Sequence, residues 1–228
     1  MTNIELTPAF LIHRRTYQGS SLLLDFLTRD YGKIRLIARG IRKSKTPIQM
    51  FHCLNISFKG RSALKTLANA ESNDVPRRLL GNDLVLAIYV NELLSRLLPE
   101  AEAHPKIFSS YQRFVEGISR STDCDKELTL RLFENQFLQE LGYGLDFRCD
   151  VSGEPISSIM NYHFVEQQGF VAHADGKIPG EILLRFACGA VQDLNTEGLR
   201  IIKGLNRQRL RSLLGDKPLK SRELFVVN

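Results

Sequence analysis

No Cys-x-x-Cys pair occurs in this chain, and neither GxxxxGK followed by Ser or Thr nor GxGxxG is present. No stretch approaches the roughly 18 uninterrupted apolar residues that a membrane span needs. Each absence closes a class of function. Cys53, Cys124, Cys149 and Cys188 lie too far apart for a disulfide framework or an intact zinc site, so reduced and mostly buried thiols are expected. Without a P-loop or a dinucleotide fingerprint the chain has no glycine-rich cradle for a nucleotide's phosphates, and NTP hydrolysis is not expected. The N-terminus, Met1-Thr2-Asn3-Ile4-Glu5, lacks the basic-then-apolar order of a signal peptide, so the chain reads as cytoplasmic with no membrane contact. The acids Glu5, Asp25, Asp30, Glu71 and Asp74 form no paired-carboxylate motif for two-metal cleavage. Ser20-Ser21 near His13 reads as turn chemistry rather than as a nucleophile with its base. The expectation is a protein with no catalytic residue and no cofactor, and therefore no enzyme.

What is present is a strongly divided charge. The chain has 228 residues and a net charge of +6, but Met1 to Arg78 holds 14 Lys/Arg against 5 Asp/Glu, while the remainder is slightly acidic. The densest run, Lys33 to Lys45, contains Lys33, Arg35, Arg39, Arg42, Lys43 and Lys45 with no acid among them. Like charges packed so closely call for a polyanion or for abundant water. Nucleic acid is the first partner this implies.

The first part of the chain reads as strands. Ala9 to Arg14 and Ser21 to Leu27 are short apolar runs, and Thr28-Arg29-Asp30-Tyr31-Gly32 is a turn leading into Lys33. Alternation in this third strand places Lys33, Arg35, Ile37 and Arg39 on one face, and Ile34, Leu36 and Ala38 on the other, so one face is basic and the other can enter a core. Cys53 to Phe58 and Ala63 to Ala70 are two further strands around a Lys59-Gly60-Arg61-Ser62 turn. Five short strands need closure to hide their edges, and the OB-fold barrel meets that need, with an SH3-like barrel as the structural competitor.

After Pro76 the hydrophobic period changes to about 3.6. The expected first helix is capped by Asn82 or Asp83, carries Leu84, Ile88, Asn91, Leu94, Ser95 and Leu98, and exits at Pro99. The second begins near Pro105 with a stripe of Ile107, Phe108, Tyr111, Phe114, Val115 and Ile118. The third, capped by Asp123 or Asp125, carries Leu130, Phe133, Phe137, Leu138 and Leu141 and stops at Gly142. Two more follow, about Gly180 to Leu194 and Glu197 to Leu214. Between the third and fourth helices an irregular insert, 142–177, contains a small hairpin from Tyr162 to Ala172. The expected class is α+β: a barrel domain over 1–78 and an α-helical domain over 79–228 with that insert. Cys149-Asp150-Val151-Ser152-Gly153 has the outline of a zinc knuckle, but Ser152 is a poor ligand, and His163 and His173 read as surface imidazoles, so no bound metal is expected.

Aromatic rings accompany the basic strand. Phe10, Phe26 and Phe58 belong to apolar strands and are expected inside, whereas Tyr17 and Tyr31, on loops among polar residues, are the candidates for stacking on bases. Few free rings and many cations imply binding dominated by phosphate with weak sequence preference. Arg14, Arg15, Lys33, Arg35, Arg39, Arg42, Lys43 and Lys45 are the candidate phosphate ligands. A basic barrel of this kind would also suit a structural-RNA binder, which is the competing reading.

Several segments in the same order resemble one family: Ala9-Phe10-Leu11-Ile12-His13-Arg14-Arg15, Ser20-Ser21-Leu22-Leu23-Leu24-Asp25-Phe26, and Tyr31-Gly32-Lys33-Ile34-Arg35-Leu36-Ile37-Ala38-Arg39-Gly40. Tyr89-Val90-Asn91-Glu92-Leu93-Leu94-Ser95-Arg96, Leu141-Gly142-Tyr143-Gly144 and Pro218-Leu219-Lys220-Ser221-Arg222-Glu223-Leu224-Phe225 continue it. Together they resemble RecO, a family of bacterial recombination mediators and DNA-repair proteins. The resemblance implies an OB-fold followed by a helical domain with a zinc-finger-like insert, metal-free here because the second thiol of the knuckle is replaced by Ser152 and the second cysteine pair is missing. It implies binding of single- and double-stranded DNA and annealing of complementary strands. With RecR, it implies help in loading RecA onto DNA coated by single-strand binding protein (SSB). The acidic SSB tail would dock on the helical domain, with Arg131 as the first candidate at the rim of its pocket and Lys217, Lys220 and Arg222 as further ones.

Overall fold

The computed structural model describes residues 3–40, 48–62, 64–120, 123–189 and 194–225. Packing divides the chain into two compact units, residues 1–120 with 216–228, and residues 121–215. The change from strands to helices after residue 78 therefore falls inside the first unit.

In that unit β1 (Asn3–Thr16), β2 (Leu22–Thr28), β3 (Gly32–Ala38), β4 (Leu54–Lys59) and β5 (Lys65–Ser72) form a closed barrel in the order β1-β2-β3-β5-β4. This is the expected OB-type barrel. β1 is far longer than its apolar run because it serves two neighbours: Asn3 to Ala9 pair with β4, and Ala9 to Thr16 pair with β2. Irregularities between Ile4 and Thr7 and between Leu11 and His13 bend it through the change of partner. Alternation then sorts the side chains. Ala9, Leu11, Leu24, Phe26, Leu36, Ala38, Leu54, Ile56 and Phe58 fill the barrel, with Ile34 packed against them.

The outer face of β1, β2 and β3 is buried as well. Phe10 is opposite Leu27, which is opposite Lys33, and these three are 1%, 0% and 7% exposed. What covers them is α1 (Gly81–Leu97) and α2 (Pro105–Ile118). The Phe10 ring lies 5.3 Å from that of Phe108 and 5.0 Å from that of Tyr111, whose hydroxyl donates to Asn91 Oδ1 of α1 at 2.6 Å. Every residue of the expected α2 stripe is buried. α1 departs from expectation at its start, where Leu80 occupies the cap without a side-chain hydrogen bond and Asn82 and Asp83 lie within the first turn. Asp83 there favours the positive end of the helix dipole instead of capping it.

A short 3-10 helix, Lys220–Phe225, closes the unit on α1. Glu92 accepts from the backbone N–H groups of Lys220 at 2.9 Å and Ser221 at 2.8 Å. Burial disfavours the Glu92 carboxylate, but the hydrogen bonds from Ser221 and Lys220 and the nearby Arg96 charge outweigh it and hold its pKa below the ordinary glutamate value.

The second unit contains α3 (Asp123–Glu140), β6 (Asn161–Val165), β7 (Gly169–Ala172), β8 (Ile178–Pro179), α4 (Gly180–Ala187) and α5 (Thr196–Leu214). The three strands form a sheet in the order β7-β6-β8, confirming the hairpin. Phe147, Tyr162 and Phe170 of the insert share a core with Leu183 and Phe186 of α4 and Leu199 and Ile202 of α5. α4 is shorter than expected: it ends at Ala187, followed by Gly189 with φ +71°, a left-handed position that stops a helix. α5 starts one residue early, where Asn195 Oδ1 accepts from Gly198 N.

Two substitutions test this account. Gly32 has φ +67°, and an added Cβ would lie 1.8 Å from the Glu102 carbonyl oxygen, whereas Gly40 has φ +68° with open space around it. Gly32→Ala should lower unfolding free energy by roughly 3 kcal/mol or more, and Gly40→Ala by only about 1 kcal/mol, as read by urea denaturation. Glu92→Gln should cost about 2 kcal/mol at neutral pH. Because the folded pKa of Glu92 lies below its unfolded value, this contribution is fully present above the unfolded pKa and fades as pH falls through the folded one. The stabilities of wild type and Glu92→Gln should therefore converge only in acid below the folded pKa of Glu92, which itself lies under the ordinary glutamate value.

Candidate nucleic-acid interface

The expected basic wall is not what β3 presents. Lys33 is buried against α1, where its Nζ donates to the Ser95 carbonyl at 2.8 Å and its own carbonyl accepts from Ala101 N at 2.9 Å. Loss of water pushes the Lys33 ammonium below its ordinary pKa. Arg35 is held in a two-pronged pair on the buried Asp25, at 2.6 Å and 3.0 Å, with Glu100 at 3.6 Å. Lys33 is spent on tying the β2–β3 hairpin to α1, and Arg35 on the buried Asp25 inside that hairpin, with Glu100 beyond α1 as its further partner. Neither offers a charge to phosphate, which corrects the expectation for these two residues.

The other candidates gather at one end of the sheet. Arg15 is opposite Leu23, which is opposite Ile37, and Thr16, Leu22 and Ala38 form the next row, beyond which Arg39 follows directly. Arg14 is opposite Leu24 on the core-facing row, yet it is exposed, and among the described residues no strand pairs with β1 beyond Ala9 on its other side. Arg14, Arg15 and Arg39 are all exposed, and none forms an ion pair among the described residues. The β1–β2 loop with half-buried Tyr17 leaves from this same end. Arg42, Lys43 and Lys45 lie outside the described residues, but Arg42 follows Arg39 by three positions in the chain.

A second group of cations was hidden in what reads as a simple turn. Lys59 and Arg61 are exposed at the β4–β5 connection, and Lys65 is backbone-paired with Leu36 of β3. The Lys65 ammonium lies 5.3 Å from the centroid of the Phe58 ring, which also meets Tyr31 edge-on at 5.6 Å. Tyr31 keeps 38% of its surface exposed. Only the barrel register brings these residues together; the signal in the sequence is the Lys59-Gly60-Arg61 triplet itself. Phe10, Phe26 and Phe58 are interior, as expected.

In the helical unit Arg131 departs from expectation. It is buried, and its Nη1 donates to Glu134 Oε2 at 2.6 Å. Asn206 of α5 donates to the same oxygen at 3.1 Å and to the Arg131 carbonyl at 3.2 Å. Arg209, pushed down to about 10 by burial against the pull of Glu134, donates to Asn206, Asn135 and the Tyr143 carbonyl. Arg131 is thus part of the α3–α5 interior and offers no rim for a docked tail. Lys220 does lie at a rim. In the barrel unit a groove of about 670 Å³ is lined by Ile12, Met50, Ile88 and the 41%-exposed Leu224, with Arg96 and Lys220 beside them. Lys217 is exposed nearby, its carbonyl accepting from Arg96 at 2.7 Å, and Arg222 is half-buried.

The knuckle-like turn is organised without a metal ligand. Asp150 Oδ1 accepts from Ser152 N at 2.8 Å and Glu154 N at 3.1 Å, so one carboxylate gathers the amides that thiolates gather in a zinc knuckle. The rings of His163 and His173 lie 4.9 Å apart, and among the described residues no group of three or more His, Cys, Asp or Glu could hold a metal ion. The residues present do not fit a zinc site.

A closed OB-type barrel, with cations at one end that form no ion pair among the described residues, carried with a helical region and a small sheet insert, places the chain among the OB-barrel proteins. The chain belongs to the RecO family: residues 1–75 match the family model for the recombination protein O N terminal region, and residues 81–223 the one for its C terminal region. DNA repair protein RecO of Haemophilus influenzae strain PittGG is 40% identical over 233 residues, covering 98% of this chain and 97% of that protein. The proteins of the same name from Proteus mirabilis and Coxiella burnetii are 39% and 38% identical, over 95% and 97% of this chain and 90% and 98% of their own lengths. No described helix is long and apolar enough to cross a membrane.

If Arg131 is structural, its replacement should injure the fold before any binding. Arg131→Ala should destabilise the helical unit by about 3–5 kcal/mol, because it withdraws the closest cation from a fully buried Glu134. Urea denaturation monitored by circular dichroism reads this. A variant of wild-type stability would return Arg131 to the list of exposed candidates.

Proposed function

We propose that this chain is a non-enzymatic DNA-binding protein of repair and recombination. It binds single- and double-stranded DNA through the barrel end, anneals complementary strands and, with RecR, assists the loading of RecA onto SSB-coated DNA. The observation that carries the reading is the family membership along nearly the whole chain, joined to the cluster of Arg14, Arg15 and Arg39 free of carboxylate partners among the described residues.

The mechanism asks for no bond making or breaking. Each cation that meets a phosphate displaces condensed counterions, and two strands held near one cationic surface repel one another less and meet more often. Tyr31, which meets the same Phe58 ring as the Lys65 ammonium, adds a partly exposed ring on which a base can stack. For the acidic, apolar-ended tail of SSB, the groove bearing Leu224, Lys220 and Arg96 supplies an apolar floor and cations at its edge, so Lys220 replaces Arg131 as the rim residue of this proposal.

Anisotropy titrations of single-stranded DNA against salt test the interface. Replacing Arg14, Arg15 and Arg39 together by Ala should flatten the slope of log K against log salt by about 2, at about 0.7 per phosphate contact, and should slow annealing at least about tenfold. Lys33→Met should leave the slope unchanged. Tighter binding of structured RNA than of single-stranded DNA, with no annealing, would instead favour a structural-RNA protein.

A further inference from the structure

Among the described residues β3 and β5 close the barrel through two parallel pairs, Leu36 with Lys65 and Ile37 with Thr66. β3 then ends at Ala38, while β5 continues to Ser72 on β4 alone. The seam opens into a cavity of about 540 Å³, within the range of small-ligand sites. Its floor is apolar: Ala38 and Leu54 from the barrel core, with Leu67 and Ala70 packed against that core. Its mouth carries exposed Arg39 and Gln49.

We propose that this cavity receives one unstacked nucleobase of a bound single strand. The proposal rests on the nucleic-acid reading above and deepens it. A base is a flat apolar body with a hydrogen-bonding edge, attached through its sugar to an anion. The floor matches the body, the Gln49 amide both donates and accepts as a base edge requires, and Arg39 at the mouth matches the adjoining phosphate. Arg14 and Arg15 lie at the same end of the sheet, so a strand held there by its phosphates passes the opening. A single strand is the fitting ligand, since a duplex would first have to unstack and unpair the inserted base at a cost of a few kcal/mol. One inserted base fixes the position of the strand and leaves its neighbours facing outward for pairing.

The full-length chain and an oligothymidine containing one 2-aminopurine test this. Ala68, which lines the mouth and is exposed, and Ala70, on the floor, are each replaced by Leu to fill the space without changing charge. The wild type should raise 2-aminopurine fluorescence at least about twofold on binding, as the base leaves its stack. Each variant should lose that rise and bind roughly tenfold more weakly, with the salt slope unchanged. Ala68→Leu, at an exposed strand position, remains informative if Ala70→Leu fails to fold. Unchanged affinity and fluorescence in Ala68→Leu, or no rise with wild type that binds the strand normally, would overturn the cavity assignment alone. Absence of any single-strand binding by wild type would overturn the nucleic-acid reading as well.

Discussion

The contact on which the rest of the barrel unit depends is the burial of the outer face of β1, β2 and β3 beneath α1 and α2. Phe10, Ile12 and Leu27 are almost wholly removed from water there, each worth about 1.5–3 kcal/mol by burial. A barrel whose wall is apolar outside as well as inside cannot stand alone in water, so strands and helices form one unit. The polar cost of this packing is met locally. Lys33 enters the interface only because the Ser95 carbonyl accepts from its ammonium, and Asp25 only because Arg35 clasps both its oxygens. Gly32 is required where the hairpin turn approaches the Glu102 backbone too closely for any side chain.

That packing also decides where charge is available. An OB barrel commonly uses the face of its second and third strands for nucleic acid, but here the lower part of that face is occupied by helices. The cations that escape are those beyond the helices' reach, at the end where β1 and β3 leave the sheet, and those on the β4–β5 connection. Positive charge at a barrel end is compatible with stability because each guanidinium keeps its water until a phosphate replaces it.

In the helical unit the same reasoning runs inward. Two arginines, Arg131 and Arg209, surround one buried carboxylate, Glu134, and Asn206 bridges all of them. Such a cluster adds little stability compared with apolar packing, but it tolerates only one alignment of α3 against α5. The Nε atoms of Arg131 and Arg209 have no hydrogen-bond partner among the described residues, which marks the cluster as a place where geometry was favoured over full pairing. The insert turn shows a parallel economy of means, with Asp150 gathering backbone amides through its own carboxylate.

Periodicity alone determined a good deal. The α2 stripe is buried residue for residue, β3 alternates as its sequence requires, and Gly142 and Pro99 stop their helices, because these depend on local geometry and on which side chains avoid water. The excess of cations before residue 78 likewise pointed to a polyanion from composition alone. Tertiary structure decided which of those cations are free. Alternation read from the sequence puts Lys33 and Arg39 on one face and cannot tell them apart, yet one is buried under α1 and the other, just past the end of β3, is open to solvent. Arg131 looked like a helix-surface residue until α5 covered it. The reason is physical: a side chain's local pattern assigns it a face, but whether that face meets water, a helix or a ligand depends on segments distant in the chain, such as Ser95 for Lys33 and Asn206 for Arg131.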